Sequence, residues 1–325
     1  MASLTRLSLR GCTWLRKLPN SIGNLTSLLE LDLSTTRMRE LPDSIGELKK
    51  ELPYSIGGLE SLLDLNFQKT KITKLLASIG RLQRLIVFGS KIRDLPNYIA
   101  DLKRLREMHL GFTQIRELPS SIGGLESLAA LHLWGSKIVE VPTPIGNLKK
   151  LECLVLLEIN IREQPKDMGM LENFKVLESD GCRNITWMGE SPKANKWNLS
   201  INITWPPQLW SLNMPWDDPR SLTWLPSNLC HLVLRDVKSP IEQSFFSNLR
   251  YLSEFTLFEC WLREIEFRQL ESLQYLTVEE CKSLVTLSLS SLGKFKELIV
   301  RSCIGKIKFA EEIINHELQL HGKVT

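Results

Sequence analysis

The chain repeats one 23-residue frame along most of its length, and this repetition restricts the possible folds more than any other feature. Residues 105–125 read LREMHLGFTQIRELPSSIGGL, and residues 128–148 read LAALHLWGSKIVEVPTPIGNL. Both follow the frame LxxLxLxxTxIxxLPxxIGxL with small substitutions, where x stands for any residue. We call the first residue of the LxL pair the marker of a repeat. About thirteen markers occur, at Leu7, Leu31, Leu65, Leu85, Met108, Leu131, Leu154, Leu177, Leu212, Leu232, Phe255, Leu276 and Leu298.

The two halves of the frame predict different backbone conformations. The LxL pair alternates with period two, which predicts a short strand whose leucines face a core while the x residues face solvent. The LPxxIGxL half predicts a return segment without a long helix, because Pro fixes φ and Gly permits a tight turn. A single repeat cannot bury its own leucines, so neighbouring repeats must stack into one continuous core.

The frame divides the chain into three parts. Residues 1–185 hold the regular repeats. Residues 186–210 fit the frame poorly, are rich in Trp and contain two adjacent prolines, so we interpret them as an insertion or a degenerate repeat. Residues 211–325 hold irregular, Cys-containing repeats and a C-terminal tail. The predicted fold class is an α/β solenoid with a parallel concave sheet and an irregular or short helical convex side.

One strand unit is missing from the regular part. The markers Leu31 and Leu65 are 34 residues apart, which is 23 plus 11, so a strand with its turn is absent near residues 46–56. We therefore expect the strands at these two markers not to pair in the ordinary register. The sheet should then show a break, a kink or an improvised pairing between residues 46 and 62.

The cysteines follow the frame as well. Five of the seven lie five residues after a marker, at Cys12, Cys182, Cys260, Cys281 and Cys303. Thr or Ser holds this turn slot in other repeats, which indicates a small side chain that bonds to the turning backbone. We expect Cys260, Cys281 and Cys303 to be buried, reduced and stacked. The chain has no CxxC pair, so we expect neither a metal site nor a disulfide framework, and no motif predicts a cofactor.

Charge and hydropathy argue against several kinds of partner. The chain has 41 Lys and Arg against 37 Asp and Glu, and this net charge of +4 favours neither nucleic acid nor a membrane surface. Residues 1–110 hold 18 basic and 11 acidic side chains, which we interpret as solvated edges. No secretory signal precedes Leu4 and no run of 18 apolar residues occurs, so we expect a cytoplasmic protein.

The outward slots of the repeats from Leu85 to Leu154 are unusually apolar. Apolar and aromatic side chains that face solvent inside a polar rim are typical of a protein-binding surface. Contact with another domain of the same protein, or relaxed sequence, are the alternative interpretations. The candidate protein-binding residues of the concave face are Ile86, Phe88, His109, Phe112, His132, Trp134, Val155 and Leu157.

His109 and His132 occupy the same outward slot 23 residues apart, which places them side by side on adjacent strands. Two solvated polar side chains would fit this arrangement, and so would a partner contact or a pH-sensitive pair. A zinc site would need a third ligand that the frame does not supply.

The return segments carry a family resemblance. Residues 18–23, 41–46, 52–57 and 118–123 read LPNSIG, LPDSIG, LPYSIG and LPSSIG, and the turn slot that accompanies them holds Thr or Cys. This combination resembles the leucine-rich-repeat domain of plant disease-resistance proteins, most closely the nucleotide-binding receptors that carry a TIR domain. The resemblance covers nearly the whole chain and implies a leucine-rich-repeat horseshoe.

That resemblance also implies a function in defence. Such a module would sense a pathogen effector or a guarded host protein, or contact the nucleotide-binding domain of its own receptor. The phosphate-binding motif GxxxxGK[ST] does not occur in this sequence, so nucleotide switching is not carried over, and we expect a repeat-only piece of such a receptor.

Two other functions are alternatives to this one. Ras-linked and Scribble-like signalling scaffolds also use LPxxI repeats, but they usually have Asn in the turn slot, where this chain mostly has Thr, Ser or Cys. An enzyme would need a nucleophile, a base or a metal motif at workable spacing. The pair His316 and His321 is five residues apart and would point to different sides of a helix, so we expect no catalytic activity.

Overall fold

The computed structural model describes residues 3–42, 61–75, 82–161, 167–180, 205–215, 225–268, 270–303, 306–309 and 319–321. The chain divides into two compact units. The first unit comprises residues 1–174 and 182–202, and the second comprises residues 175–181 and 203–325. Both are built from short parallel strands, as the repeat frame predicts.

The strands of the first unit pair in the order of the sequence. Each is three residues long, each is parallel to the next, and each marker pairs with the marker of the following repeat. The predicted parallel solenoid is confirmed. The strands are β1 Arg6–Ser8, β2 Glu30–Asp32, β3 Asp64–Asn66, β4 Arg84–Ile86, β5 Glu107–His109, β6 Ala130–His132 and β7 Cys153–Val155.

The expected break between β2 and β3 does not occur, and that prediction was wrong. Leu31 pairs directly with Leu65, and the Leu33 N–H donates to the carbonyl of Asn66 at 2.7 Å. Burial of the marker leucines sets the register, because a slip of one residue would turn them towards solvent. The length of a connection costs comparatively little free energy. The 11 additional residues therefore belong to the connection, of which residues 43–60 lie outside the described part.

The described return segments after β1, β4, β5, β6 and β7 contain short 3-10 helices, which confirms the predicted short helical convex side. A proline in extended conformation precedes four of them, and its carbonyl accepts the first hydrogen bond. In the third helix, the Ile122 N–H donates to the carbonyl of Pro119 at 2.9 Å, and the Leu125 N–H donates to the carbonyl of Ile122 at 3.1 Å. The helices are Asn20–Asn24, Asn97–Asp101, Ser120–Gly124, Thr143–Asn147 and Met168–Met170.

The turn slot closes each strand in the way the sequence predicts. The hydroxyls of Thr36, Thr70 and Thr113 donate to the carbonyl three residues earlier, at 2.7 to 2.8 Å. The residue just before this slot has a positive φ in most repeats, including Gly89 at 66° and Gly135 at 60°. We call this site the left-handed position, and it is where the chain turns away from the sheet.

The second unit has strands on both sides of its core. One parallel sheet continues the marker pattern and contains β8 Val176–Glu178, β9 Ser211–Pro215, β10 His231–Arg235, β11 Glu254–Phe258, β13 Tyr275–Glu279, β15 Glu297–Arg301 and β17 Gln319–His321. The other is also parallel and contains β12 Glu264–Arg268, β14 Thr286–Ser290 and β16 Lys306–Phe309. One 3-10 helix, Gln243–Phe246, lies between β10 and β11.

The second sheet of this unit was not predicted. In β12 the residues alternate between exposed and buried, with Ile265 and Phe267 facing the core. The rings of Phe246, Phe255 and Phe267 pack edge to face or tilted, with centroids 5.5 to 5.7 Å apart. The return segments after β11, β13 and β15 are therefore strands, and in β12 the apolar residues recur every second position.

The cysteine prediction is confirmed for Cys260 and Cys281 and only partly for Cys303. Cys260 and Cys281 are 2% and 0% exposed, whereas Cys303 is partly exposed. The thiols of Cys260 and Cys281 each donate to a carbonyl of the preceding repeat, those of Leu234 and Leu257, at 3.8 Å. The thiol of Cys303 likewise donates to a carbonyl of the preceding repeat, that of Val278, at 3.6 Å. The described cysteines are free, and Cys182 lies outside the described residues.

Most of the predicted insertion at residues 186–210 also lies outside the described part of the chain. Its last residues enter the repeat frame. Leu209 is fully buried, and the Trp210 N–H donates to the carbonyl of Lys175 at 3.0 Å. Within the described residues, no helix is both long and apolar enough to cross a membrane.

We expect a thiol reagent to modify Cys303 in the native protein well before Cys260 or Cys281. Cys303 is partly exposed, whereas the other two are buried. Exposure has to outweigh thiol acidity here, because only the thiolate reacts, and a hydrogen bond with Cys281 raises the pKa of Cys303 while one with Cys281 lowers the pKa of Cys260. Timed labelling followed by peptide mass spectrometry measures the three rates. The unfolded chain serves as the control, and equal rates in the native protein would contradict the stacked arrangement.

Candidate protein-binding surface

The strand register brings four of the candidate residues into one column on the solvent side of the first unit's sheet. Ile86 pairs with His109, His109 with His132, and His132 with Val155. All four directly follow a marker, and the marker side chains point into the core. The outward direction that the frame predicts for this slot is therefore the one observed for Ile86 and the two histidines, which are partly exposed.

Three aromatic side chains form a cluster beside this column, and we call it the aromatic triad. The ring centroid of Phe112 lies 5.2 Å from that of Phe88 and 5.3 Å from that of Trp134, both in edge-on geometry. Phe88 and Trp134 belong to repeats that are two apart, yet their centroids are 6.1 Å apart. Edge-on ring pairs add about 0.5 to 1.5 kcal/mol beyond the area they bury.

Two glycines make room for the triad. A Cβ atom on Gly111 would lie 2.9 Å from the ring of Phe88, and one on Gly135 would lie 2.7 Å from the ring of Phe112. Each ring therefore rests on the backbone of the following repeat. Phe88 and Trp134 occupy the third position after their markers, and the glycine at that position in the repeat between them lets the two rings approach.

Phe112 occupies the left-handed position of its repeat, with a φ of 52°. A large side chain at positive φ is unfavourable, since its Cβ crowds the backbone. Gly11, Gly89 and Gly135 hold the same position in other repeats without this cost. Thr35, Lys69 and Glu158 adopt the same positive φ in their repeats, so the turn requires this conformation, and what is particular to Phe112 is a large ring that is 42% exposed beside Trp134, which is 39% exposed.

The two histidines stack face to face. Their ring centroids are 4.3 Å apart and their planes differ by 6°. Burial lowers the pKa of both side chains, and the charge of His109 lowers the pKa of His132 further. Glu107, 3.8 Å from His109, opposes this shift for both rings, and Arg84 reinforces it for His109. Near neutral pH the pair is therefore uncharged and belongs to the apolar part of the surface.

The remaining candidates contribute less to the surface than expected. Val155 is only 7% exposed, so its predicted role as a solvent-facing contact is corrected. The last residue of β7 is buried, whereas the last residues of β5 and β6, His109 and His132, are partly exposed. Leu157 is half-buried at the border of the triad. Sequence reasoning also missed Gly111 and Gly135, although two glycines next to outward aromatic residues are a signal that could have been used.

The polar groups of the surface bear on what it could bind. Within the described ranges, no three His, Cys, Asp or Glu side chains are placed to hold one metal ion. The charged groups nearest the histidine column are Glu107 and the ion pair between Arg84 and Asp64, whose atoms are 2.7 Å apart. Rings, imidazoles and a charged border are suited to binding another macromolecule.

Comparison with known proteins identifies the class of this solenoid. The family of the leucine-rich repeat region matches residues 89–300, which is more than half of the chain. The chain therefore belongs to the leucine-rich-repeat family. No curated protein matches it in sequence.

Solved structures share the fold at low sequence identity. A leucine-rich-repeat protein of Leptospira interrogans is 21% identical with a TM-score of 0.65, and the match covers 94% of this chain and 81% of that one. The functional domain of InlJ from Listeria monocytogenes, which includes a cysteine ladder, is 16% identical with a TM-score of 0.62, over 94% and 69% of the chains. The plant peptide hormone receptor RGFR1, in complex with RGF2, is 20% identical with a TM-score of 0.52, over 98% and 64%.

We expect Phe112→Gly to be more stable than Phe112→Ala by about 1 kcal/mol, because only glycine adopts a positive φ without strain. At most positions the alanine variant is the more stable of the two, because glycine loses more conformational entropy on folding. Both variants lose the same ring, so their difference isolates the backbone term. Urea unfolding measures it. The same pair of substitutions at exposed Glu117, whose φ is not positive, provides the control and should favour alanine.

We expect the free energy of unfolding to fall as the pH drops from about 8 to about 5.5, with the histidine pair responsible. Burial lowers the pKa of His109 and His132 in the folded chain, so the unfolded chain binds more protons below its own pKa near 6.5. Stability is then complete above that value and is lost below it. Urea unfolding of the wild type and of His109→Gln/His132→Gln measures the difference. An equal pH dependence in both would refute the assignment.

Proposed function

We propose that the solvent face of β4 to β7 binds a protein, and that the chain is the recognition and regulatory module of a plant intracellular immune receptor. The observation that carries the proposal is the aromatic triad, in which Phe112 is exposed although its backbone is strained. The positive φ is shared by other repeats, where Thr35 and Lys69 adopt it, so the distinctive feature of this repeat is a large exposed ring at that position.

The physical properties of the surface suit a binding hot spot. Large aromatic side chains in the centre of an interface contribute most of its binding free energy, provided that surrounding groups exclude water. The rings of the triad would form such a centre, and the stacked histidines extend this apolar surface along the strands. Its rings are already packed against each other, so little side-chain entropy is lost when a partner binds.

Neighbouring repeats provide the contrast that delimits the surface. The slots that hold Ile86 and Phe88 in the fourth repeat hold Asp32 and Ser34 in the second. Asp32 accepts a hydrogen bond from the backbone of Ser34 at 2.9 Å. Apolar side chains are therefore concentrated on the repeats from β4 to β6 and do not occur at these slots throughout the unit.

The assignment to an immune receptor is supported by the LPxSIGxL segments with Thr or Cys in the turn slot. A module of this kind would bind a pathogen effector, a guarded host protein or the nucleotide-binding domain of its own receptor. One structure with the same fold, the plant receptor RGFR1, is in complex with RGF2, which is an instance of a partner bound by such repeats. The proposal includes an intracellular location, where stacked thiols such as Cys260 and Cys281 stay reduced.

We expect Trp134→Ala to weaken binding of the partner by roughly 2 kcal/mol or more, as the loss of a central aromatic residue does. Folding should change little, because the ring is 39% exposed. The experiment isolates proteins from plant tissue with the wild-type chain, purifies each one and measures its affinity by calorimetry. Thermal melts of the same variants separate binding from stability.

Trp261→Ala is the matched control, because this ring is 62% exposed and belongs to the second unit. Support requires a receptor domain, a host defence protein or an effector that binds the wild type and Trp261→Ala alike but loses affinity with Trp134→Ala. A partner that tolerates Trp134→Ala would refute the binding surface. A Ras-type GTPase as the partner would refute the receptor assignment and favour the scaffold.

A further inference from the structure

A row of cations lies along one edge of the first unit, just beyond the ends of its strands. The Lys91 N–H donates to the carbonyl of Ile72 at 3.1 Å, and the Gln114 N–H donates to the carbonyl of Ile92 at 3.0 Å. These bonds keep successive turns at about the strand spacing of 4.8 Å. Four exposed cations follow β3, β4 and β5 here, and we call them the basic edge: Lys71, Lys91, Arg93 and Arg116.

Among the described residues, the cations of the basic edge are unpaired, although exposed carboxylates such as Asp94 and Glu117 lie along the same edge. In the part of the chain that the structure describes, its four cations form neither ion pairs nor side-chain hydrogen bonds. Lysines that precede the strands are different, since Lys103 lies 2.8 Å from Glu126 and Lys149 lies 3.6 Å from Glu172. Like charges held on adjacent repeats repel one another, and an anionic partner would relieve that repulsion.

The basic edge also has a concave site. One shallow hollow is lined by Lys71, Thr73, Lys91, Arg93 and Gln114. Every one of these side chains can donate a hydrogen bond, and none carries a negative charge. The planar Arg93 guanidinium matches a carboxylate in bidentate geometry, and the two ammonium groups add charge. This donor set is suited to the carboxylates of Asp and Glu side chains.

The hollow and the aromatic triad share a repeat. Phe88 and Lys91 are three residues apart, separated by the left-handed turn at Gly89. Three residues span at most about 10 Å, so a short extended peptide can reach both sites. One partner segment can therefore place a side chain on the ring of Phe88 and another in the hollow.

We infer that the partner presents an acidic segment next to a bulky apolar side chain. Its carboxylates bind the basic edge, and its apolar side chain binds the aromatic triad. This inference rests on the proposed function and gives the chemistry of the protein that the surface selects. It also assigns a role to the excess of basic residues in the first 110 positions, which charge counting alone assigns to solvation.

A polypeptide fits this surface better than a nucleic acid. Exposed carboxylates at Asp94, Glu117 and Glu140 alternate with the cations along the same edge. A phosphate backbone carries a negative charge at every nucleotide and would meet these groups. A peptide can place acidic residues at the cations and neutral residues elsewhere. The rings of the triad are packed edge to face against each other and do not offer separate stacking platforms for bases.

The test uses the full chain and a short labelled peptide in which Asp-Glu-Asp precedes Leu-Phe, with affinity measured by fluorescence anisotropy. One comparison peptide has Asn-Gln-Asn in place of the acids, and another has Ala-Ala in place of Leu-Phe. We expect each to bind at least about tenfold more weakly than the parent peptide. Raising the salt concentration from about 0.05 to about 0.5 M should weaken only the peptides that carry acidic residues.

Lys91→Glu/Arg93→Glu should reduce the affinity for the parent peptide by at least about tenfold. Arg104→Glu/Lys150→Glu changes the net charge equally at exposed positions on the other edge and should leave it within about twofold. Equal binding of the acidic and amide peptides, no effect of Lys91→Glu/Arg93→Glu, or equal binding of oligouridylate would overturn the inference. If the cellular partner still depends on Trp134 in that case, the proposed function stands and only the acidic chemistry is wrong.

Discussion

Parallel pairing between neighbouring repeats is the constraint on which the rest of the structure depends. A strand of three residues has too few hydrogen bonds to persist alone, and its leucines are covered only by the strands beside it. The chain length between paired markers varies, with 34 residues from Leu31 to Leu65 and 20 from Leu65 to Leu85, yet marker pairs with marker in both cases. Register follows burial, and the connections adjust to it.

The left-handed position links this framework to the surface. Each repeat has to leave the sheet after its strand, and the positive φ that achieves this turn is needed regardless of which residue stands there. Glycine is the relaxed choice, and Phe112 is a strained one whose ring is held by Phe88 and Trp134. Function can therefore be added at this slot without changing a single core leucine.

Periodicity made the fold predictable, and it also made the outward direction of the triad's slots predictable. The spacing of 34 residues between Leu31 and Leu65, 11 more than one period, predicted a break in the sheet. The break does not occur, because burial of the marker leucines sets the register whatever the length of the connection. Sequence reasoning also overlooked the second sheet, although residues 264–268 alternate as clearly as any marker strand. The burial of Val155 could not be foreseen, because the exposure of an outward slot depends on how neighbouring side chains cover it.

Strand β12 has a consequence for how the protein behaves in concentrated solution. Among the described strands it forms one end of the three-stranded sheet, so one row of its backbone groups has no strand partner in the part of the chain that the structure describes. An uncovered edge of this kind invites pairing with another molecule and the growth of aggregates. Its outward residues are Glu264, Glu266 and Arg268, and the side chain of Gln243 donates to the carbonyl of Arg268 at 2.6 Å. Charge and a capping amide thus protect this edge, and the solubility of the repeats depends on residues that contribute nothing to their core.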